Sequence, residues 1–416
     1  MIKFRGWLIL LLSIICYIGA RAFGSYEFLL LSITFLITFL YSLFSTIQLR
    51  DKLFIKRKIG HKRVHVDNVV DVNLHAKNKG TLFTSIPIIK DKLPSYFGDS
   101  HNFVVPTNFY KKDFDIKYKL NMDKRGLYKI GPITMRGQDS FNLTQSNVLF
   151  DDYQEILVYP KTYDISQFSP GGVGFIGYEA LTSDLVSPIG DDFYSLREYV
   201  SGDDLRKIHW KSTAKTSALM IRKVDDATIS RVAIIVDGFR DSHLGEGKES
   251  TFEYLVSAAA TIVNYFAKSN YRVRIVVSGN RLYVIPFDDA SRNYHRIMEV
   301  FAKCEPSGNI SPTIIISKEL DSLPTGSNIV FLTTSFNTNW LDKLKRIRRR
   351  GQMRIALVLV VGETFLPMSD VLYQQKMTMF SEFLAKIYGS GISVCLLRKG
   401  CNIKSTLEGI KRNRVK

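Results

Sequence analysis

Asp203, Asp204 and His209 fall in one short stretch, Leu196 to Arg222, that reads LREYVSGDDLRKIHWKSTAKTSALMIR. Two carboxylates and an imidazole this close together are the raw material of an acid–base pair or a metal-dependent hydrolase. The same residues also suit a plain structural role. Acidic pairs after glycine commonly sit in turns and at helix N-caps, where their oxygens accept the free amides of the next turn. Asp203 or Asp204 ahead of Leu205-Arg206-Lys207-Ile208 fits that role, and no nucleophile paired with a base stands beside them. Arg197, Glu198, Tyr199, Arg206, Trp210, Lys215 and Arg222 complete a segment dense in charge and rings. A core segment cannot carry so many charges unless each is paired. The physical expectation is a latch, packed on the rest of the chain with its Arg and Asp groups satisfying one another.

A second pattern with chemical meaning is Gly172-x-Gly174-x-x-Gly177, which matches the dinucleotide fingerprint letter for letter. That fingerprint works only where a strand feeds the glycines and a helix N-terminus meets the pyrophosphate. Ser166 to Pro170 is poor strand material, and the run from Tyr178 is soon interrupted by Pro188. The glycines therefore read as a linker. No Gly-x-x-x-x-Gly-Lys-Ser/Thr loop occurs, so no nucleotide cofactor is predicted. Cys16, Cys304, Cys395 and Cys401 form no Cys-x-x-Cys pair and have no nearby His pattern. They argue against a zinc site and a disulfide framework and fit reduced cytoplasmic thiols.

The net charge of +18 calls for an anionic neighbour, either a lipid surface or nucleic acid. Lys343, Lys345, Arg346, Arg348, Arg349 and Arg350 concentrate cations on one helical run whose other side carries Leu341, Leu344 and Ile347. With no nucleic-acid motif beside it, that run reads as a solvated or lipid-facing surface.

The elements that must position these residues begin with an anchor. Trp7 to Ala20 is almost wholly apolar, and Phe28 to Ile47 is a second apolar run with no charge until Arg50. A bilayer needs about 20 apolar residues. The first run alone resembles a signal peptide, with Ala20-Arg21-Ala22 as the small-residue site, but the second run directly after it predicts a helical hairpin. Arg50, Lys52, Lys56, Arg57, Lys58, Lys62 and Arg63 follow the hairpin, against Arg21 in its turn. By the positive-inside rule both termini face the cytoplasm.

From Val64 to Tyr159 the pattern is strand-like. Phe114 to Leu120 alternates apolar and polar residues without a break, and Val70, Val72 and Leu74 do the same. Turn signals at Asn78 to Gly80 and Lys124-Arg125-Gly126 suit an antiparallel sandwich. After residue 230 the pattern changes. RVAIIVD, ending at Asp237, reads as a central parallel strand, and Thr251 to Lys268 as a helix with a Ser250/Glu253 capping box. Strands at Val273–Val277, Leu282–Phe287, Ile329–Leu332, Ala356–Val361 and Ile392–Leu397 alternate with helices at Arg292–Phe301, Trp340–Arg349 and Leu372–Tyr388. Such alternation specifies a doubly wound α/β sheet.

Arg197-Glu198-Tyr199, Gly202-Asp203-Asp204, Arg206, Ile208 and Trp210, followed by Ala214-Lys215 and a strand ending in Arg222, resemble the signature of the domain-of-unknown-function 58 family. His209 departs from the Asp that usually precedes the Trp there. Arg125-Gly126-x-Tyr128 and Asp139-Ser140-Phe141-Asn142-Leu143 are similar to that family's Arg-Gly-x-Tyr and Asp-Pro-Phe-Gly-Leu elements, with the Pro and Gly of the second replaced. The resemblance implies a von Willebrand A-like α/β domain and a MoxR-type AAA+ ATPase as partner. In that fold Asp-x-Ser-x-Ser, a Thr and a second Asp offer Mg²⁺ hard oxygens and leave one position for a partner's carboxylate. Here Phe239 and Asp241 occupy the two Ser positions after Asp237, and Thr334 stands where the second Asp falls. Asp237, Asp241 and Thr334 thus make at most a degenerate site. No metal is predicted, and Asp237 reads as a hydrogen-bond acceptor at the strand end.

The predicted architecture has two N-terminal transmembrane helices, an all-β immunoglobulin-like sandwich and a doubly wound, von Willebrand A-like α/β domain. The boundaries are 1–50 for the hairpin, 51–160 for the sandwich, 161–228 for linker and signature, and 229–416 for the α/β domain. The expected protein is a multi-pass cell-membrane scaffold facing the cytoplasm, not an enzyme, working with a MoxR-type ATPase in complex assembly or envelope maintenance. Two other classes stay open: a metal-dependent hydrolase using Asp203, Asp204, His209 or Asp237, and a basic nucleic-acid binder.

Overall fold

The computed structural model describes residues 2–79, 86–98, 100–104, 113–139, 141–168, 194–199, 208–216, 218–224, 231–269, 271–324, 326–336, 338–349, 353–366, 371–387 and 390–409. The chain divides into two compact units, Met1–Tyr159 and Pro160–Lys416.

The first unit opens with helices α1 (Phe4–Phe23) and α2 (Tyr26–Lys52). Gly24 ends α1 in the left-handed conformation at φ 64°, a C-terminal stop that glycine adopts without a Cβ penalty. Both helices are long and apolar enough to cross a membrane by length and composition. Most of their large apolar side chains point outward, Leu11, Ile15, Leu30 and Ile37 among them. Between the helices Ser13 Oγ donates to Ser32 O, and Ser32 Oγ donates back to Ser13 O, both at 2.9 Å.

Among the described residues ten strands follow: β1 (Leu53–Ile59), β2 (Arg63–His65), β3 (Val69–Asn78), β4 (Ile86–Lys92), β5 (Ser100–Val104), β6 (Asp113–Asn121), β7 (Gly126–Ile130), β8 (Ile133–Gln138), β9 (Gln145–Phe150) and β10 (Gln154–Tyr159). They form sheets in the orders β1-β3-β6, β2-β10-β7 and β5-β4-β8-β9. The unbroken alternation of residues 114–120 becomes β6, whose apolar side faces inward. The sequence predicts antiparallel pairing throughout, and here the structure corrects it: β2 runs parallel to β10, with Val64 opposite Val158. The turn after β1, where Gly60 N–H donates to Asp71 O, carries the chain away from its first partner and onto a different sheet.

The core of this region is Val72, Leu74, Ile89, Met122, Ile130 and Ile156, all sealed from solvent. One charged pair is buried within it. Arg57 on β1 donates Nε to Asp91 Oδ2 on β4 at 3.1 Å and Nη1 to Ile130 O on β7 at 3.2 Å. Tyr118 on β6 donates its hydroxyl to the same Oδ2 at 2.6 Å. The pair thus ties strands of all three sheets together. Burial, then the adjacent carboxylate, pushes the Tyr118 phenol well above its ordinary range.

In the second unit, residues 160–168 lie on the α/β body. Ser166 N–H donates to Glu408 Oε1 at 2.8 Å, and buried Phe168 meets Phe266 edge to face. A hairpin of β11 (Tyr194–Glu198) and β12 (Met220–Val224) flanks the short helix α3 (Trp210–Thr216). The body comprises β13 (Arg231–Val236), α4 (Thr251–Lys268), β14 (Arg272–Ser278), β15 (Leu282–Asp289), α5 (Tyr294–Lys303), α6 (Pro312–Ser322), β16 (Asn328–Thr333), α7 (Thr338–Arg349), β17 (Ile355–Val360), α8 (Val371–Ile387), β18 (Ser393–Leu397) and α9 (Ile403–Leu407).

Its six-stranded sheet runs β15-β14-β13-β16-β17-β18. All neighbours are parallel except β14 and β15, so the sheet is mixed. The connection between those two, Gly279-Asn280-Arg281, is too short for a crossover and permits only a hairpin. Ala233, Ile235, Phe331, Leu357 and Leu359 face a core shared with Trp340 and Leu341 of α7, Phe380 and Phe383 of α8, and Ile316 of α6. Strand alternation turns Val232, Ile234 and Val236 to the other face, where α4 buries the stripe Phe252, Leu255, Val256, Ala259 and Val263. Ser250 caps α4 by accepting Glu253 N–H at 3.3 Å, as the capping box predicts.

Candidate functional site

The sheet winds one way from β13 to β15 and the other way from β16 to β18. Between β13 and β16 the connections leave in opposite directions, and such a switch point opens a crevice at the carboxyl ends of the strands. Asp237 directly follows β13, Thr333 ends β16, and Gly362-Glu363 follow β17, so all three arrive at this rim.

Asp237 is wholly buried. Its Oδ1 accepts Phe239 N–H at 2.9 Å and its Oδ2 accepts the Thr333 hydroxyl at 2.7 Å. Burial pushes its carboxyl up to about 6, against the pull of those two donors. Thr333 Oγ1 in turn accepts Ser335 N–H at 2.9 Å. His243 Nε2 lies 3.1 Å from Asp237 O, a carbonyl that can only accept, so Nε2 carries the proton. Its Nδ1 sits 3.2 Å from Thr251 Oγ1, which also accepts Leu244 N–H at 3.0 Å. Loop, helix start and strand end are thereby bonded into one rigid corner.

Of the three positions the sequence offers for a degenerate metal site, Asp237 bonds to Thr333, whereas Thr334 donates its hydroxyl to Ser242 O. Asp241 is solvent-exposed on the loop after β13. Among the described residues no group of three or more His, Cys, Asp or Glu side chains gathers as metal ligands. Thr333 is the functional neighbour that sequence reasoning misses. The signal was there: alternation along β16 decides which of two adjacent threonines faces Asp237.

Beside the corner lies a cleft of about 540 Å³, lined by Asp241, Ser242, Thr334, Glu363, Glu382 and Lys386 among others. Its ionisable lining is thus acidic on balance, in a chain whose net charge is +18.

In the signature segment, Gly202, Asp203, Asp204 and Arg206 lie outside the described residues, as do Gly172, Gly174 and Gly177. Arg197 and Glu198 fall on β11, and Arg222 falls on β12 opposite Leu196. Tyr199 N–H donates to Leu219 O at 2.8 Å. Lys215 is exposed in the last turn of α3. His209 precedes α3, and its Nδ1 accepts Ser212 N–H at 3.2 Å while lying 2.8 Å from Ser212 Oγ. That is the bond an N-cap Asp makes to the third helical residue, so the imidazole does a carboxylate's capping work. The Trp210 ring, which the latch expectation would bury, stands 67% exposed.

Two N-terminal apolar helices, a β-rich region and an α/β region with a mixed sheet define the class, and a family model matches part of the last of these. The model described as "Protein of unknown function DUF58" matches residues 195–369, from β11 through the crevice strands. The uncharacterized protein YeaD of Bacillus subtilis (strain 168) is 19% identical over 268 residues, a match covering 61% of this chain and 64% of YeaD. The match spans less than two thirds of that relative's length. Among solved structures, a CARDB domain from Pyrococcus furiosus in complex with di-metal ions is 15% identical, covering 26% of this chain and 91% of that one at a TM-score of 0.20. The sporulation control protein Spo0M of Bacillus subtilis is 9% identical, covering 26% and 49% at a TM-score of 0.14. Scores this low carry no argument about this chain.

Proposed function

We propose that the protein is a membrane-anchored scaffold with no chemistry of its own. It presents the β-rich region and a degenerate von Willebrand A-like domain to cytoplasmic partners, a MoxR-type AAA+ ATPase foremost, in complex assembly or envelope maintenance. The observation that carries this reading is the bonding of Asp237: both carboxylate oxygens are engaged by donors of the protein itself. An acid held this way braces the rim of a crevice and is not poised to grip an ion or a substrate. The strand order, with one antiparallel edge strand, supports the von Willebrand A-like assignment. The acidic cleft beside the corner offers a docking surface to a partner's basic side chains. Cations at and just beyond the end of α2, among them Lys52, Lys56 and Lys58, support a cytoplasmic orientation.

Purification of the full chain from membranes at moderate salt tests the proposal. Recovery of an AAA+ ATPase with the unaltered chain, and its loss with the Asp241→Lys/Glu382→Lys double variant, is the expected result. Repeated failure to recover any ATPase counts against the partnership. Stoichiometric Mg²⁺ or Mn²⁺ that disappears in Asp237→Ala overturns the non-enzymatic reading in favour of a metal-dependent hydrolase.

A further inference from the structure

The connection from β8 to β9, residues 139–144, holds its polar groups in a way that a solvated hairpin does not need. Asp139 Oδ1 accepts Thr144 N–H at 2.7 Å and Oδ2 accepts Phe141 N–H at 3.0 Å. Asn142 stands in the left-handed region at φ 58°, a conformation that Asn tolerates better than most residues. The turn is seated between the two N-terminal helices. On one side Thr144 Oγ1 donates to Ser42 O of α2 at 3.0 Å. On the other, Lys3 N–H donates to Leu143 O at 2.9 Å and Lys3 Nζ donates to Asn142 Oδ1. Gly6 permits this approach, since a Cβ there would stand 2.7 Å from Leu143 O.

What the turn leaves facing outward is Phe141, 54% exposed, in an edge contact with Tyr41 at 6.4 Å. Phe141, Tyr41, Thr38 and Ile37 line a groove of about 380 Å³. The outward apolar surface of α2 continues through this level, with Ile37, Leu40 and Phe44 all exposed. Depth follows from helix geometry. At about 1.5 Å per residue, the twenty residues of α1 span about 30 Å, the thickness of a hydrocarbon core. With Arg21 and Glu27 at one boundary, the other falls beside Lys3 and Arg5, where the turn is bonded. Aromatic rings concentrate at that level of a bilayer, and cations there meet the headgroups.

We propose that residues 141–144 form a lipid-contact element. Phe141 and Tyr41 sit at the boundary between headgroups and acyl chains, and the groove between them takes an acyl chain of a bilayer lipid. The proposal rests on the reading that α1 and α2 span a membrane. Its occupant is lipid because the groove continues the same outward apolar surface and the turn beside it is bonded to a cation, Lys3. Among the described residues, the amides of Phe141, Asn142 and Thr144, the carbonyl of Leu143 and the side chains of Asp139, Asn142 and Thr144 are bonded within the turn or to the helices, so entering the boundary strips few of them of water.

The test uses the full chain in vesicles of phosphatidylcholine and phosphatidylglycerol. The native cysteines are replaced and a nitroxide is placed in turn on Phe141→Cys, Leu30→Cys and Asn147→Cys. Collision rates with oxygen and with a water-soluble nickel chelate are compared. The expected result is a ratio favouring oxygen several-fold at 30 and at 141, and favouring nickel at 147. Lipid access at 30 with aqueous access at 141 overturns the proposal and leaves the anchor standing. Aqueous access at both sites overturns the anchor and the proposal together. Dipolar broadening at 141 places a second copy in the groove and overturns the choice of lipid. A benzophenone side chain at position 141 of the otherwise unaltered chain gives a second readout. A mass increase of one phospholipid after illumination supports the proposal, and crosslinking to protein alone overturns it.

Discussion

The two units each bury an aspartate completely, and they hold it in opposite ways. In the β-rich region Asp91 faces the Arg57 guanidinium, and neither side chain has any exposed surface. In the α/β region Asp237 meets only a hydroxyl and a backbone amide, and its carboxyl is pushed up to about 6. An opposite charge repays desolvation, which neutral donors do only in part. The first arrangement fastens three sheets together. The second leaves a carboxyl at a crevice rim whose charge costs the fold something at neutral pH.

The sharpest way to break this contrast is to remove one member of the ion pair. Arg57→Met leaves Asp91 buried without its cation, and a loss of about 3–5 kcal/mol is expected in denaturant unfolding of the full chain in detergent. The double variant Arg57→Met/Asp91→Leu should recover most of that loss, because no uncompensated charge remains. If the single and double variants unfold alike, the pair is not what joins the sheets.

For Asp237 the contrast predicts a pH dependence of definite sign. Its folded-state value lies above the unfolded 3.8, so its contribution is complete below pH 3.8 and is lost as the pH rises through about 6. That displacement corresponds to about 3 kcal/mol, at 1.36 kcal/mol per unit. Relative to Asp237→Asn, the unaltered chain should therefore lose stability between pH 4 and 7, by thermal unfolding across that range. Parallel curves for the two chains would show that Asp237 does not titrate there.

Thr333→Val takes the donor from Asp237 Oδ2 and keeps the shape. A loss of about 1–3 kcal/mol is expected at neutral pH, the cost of an unsatisfied buried acceptor. The loss should shrink once acid protonates the carboxyl. The smallest effect concerns a neutral acceptor standing in a carboxylate's place. His209→Ala should cost about 1 kcal/mol of local stability, and His209→Asp should restore it. Amide exchange at Ser212, whose N–H the imidazole accepts, reports both.

What the sequence disclosed follows from which signals are local. The α4 helix is legible to its last residue, because a capping box and an apolar stripe are complete within the segment. RVAIIVD reads as a central strand because both faces of β13 are buried. Pairing direction is not local. Whether β2 lies with or against β10 depends on where a turn ninety-odd residues earlier sends the chain. The helix α6 is passed over although Pro312 stands at its first position, a start signal that a short run beginning Thr-Ile-Ile-Ile disguises as a strand. The crevice itself was half visible: Asp237 announces it, but Thr333 rather than Thr334 completes it, since a side chain's face depends on strand phase.

The reciprocal bonds between Ser13 and Ser32 carry one more consequence. Each hydroxyl reaches the other helix's carbonyl at one relative height of the two helices. Sliding one past the other by a turn would break both bonds and leave each hydroxyl to fall back on a carbonyl of its own helix, as Thr34 and Thr38 do. The clasp thus works as a vernier: it fixes how far the chain's first residues stand from the hairpin bend, and with them the β8–β9 turn they hold.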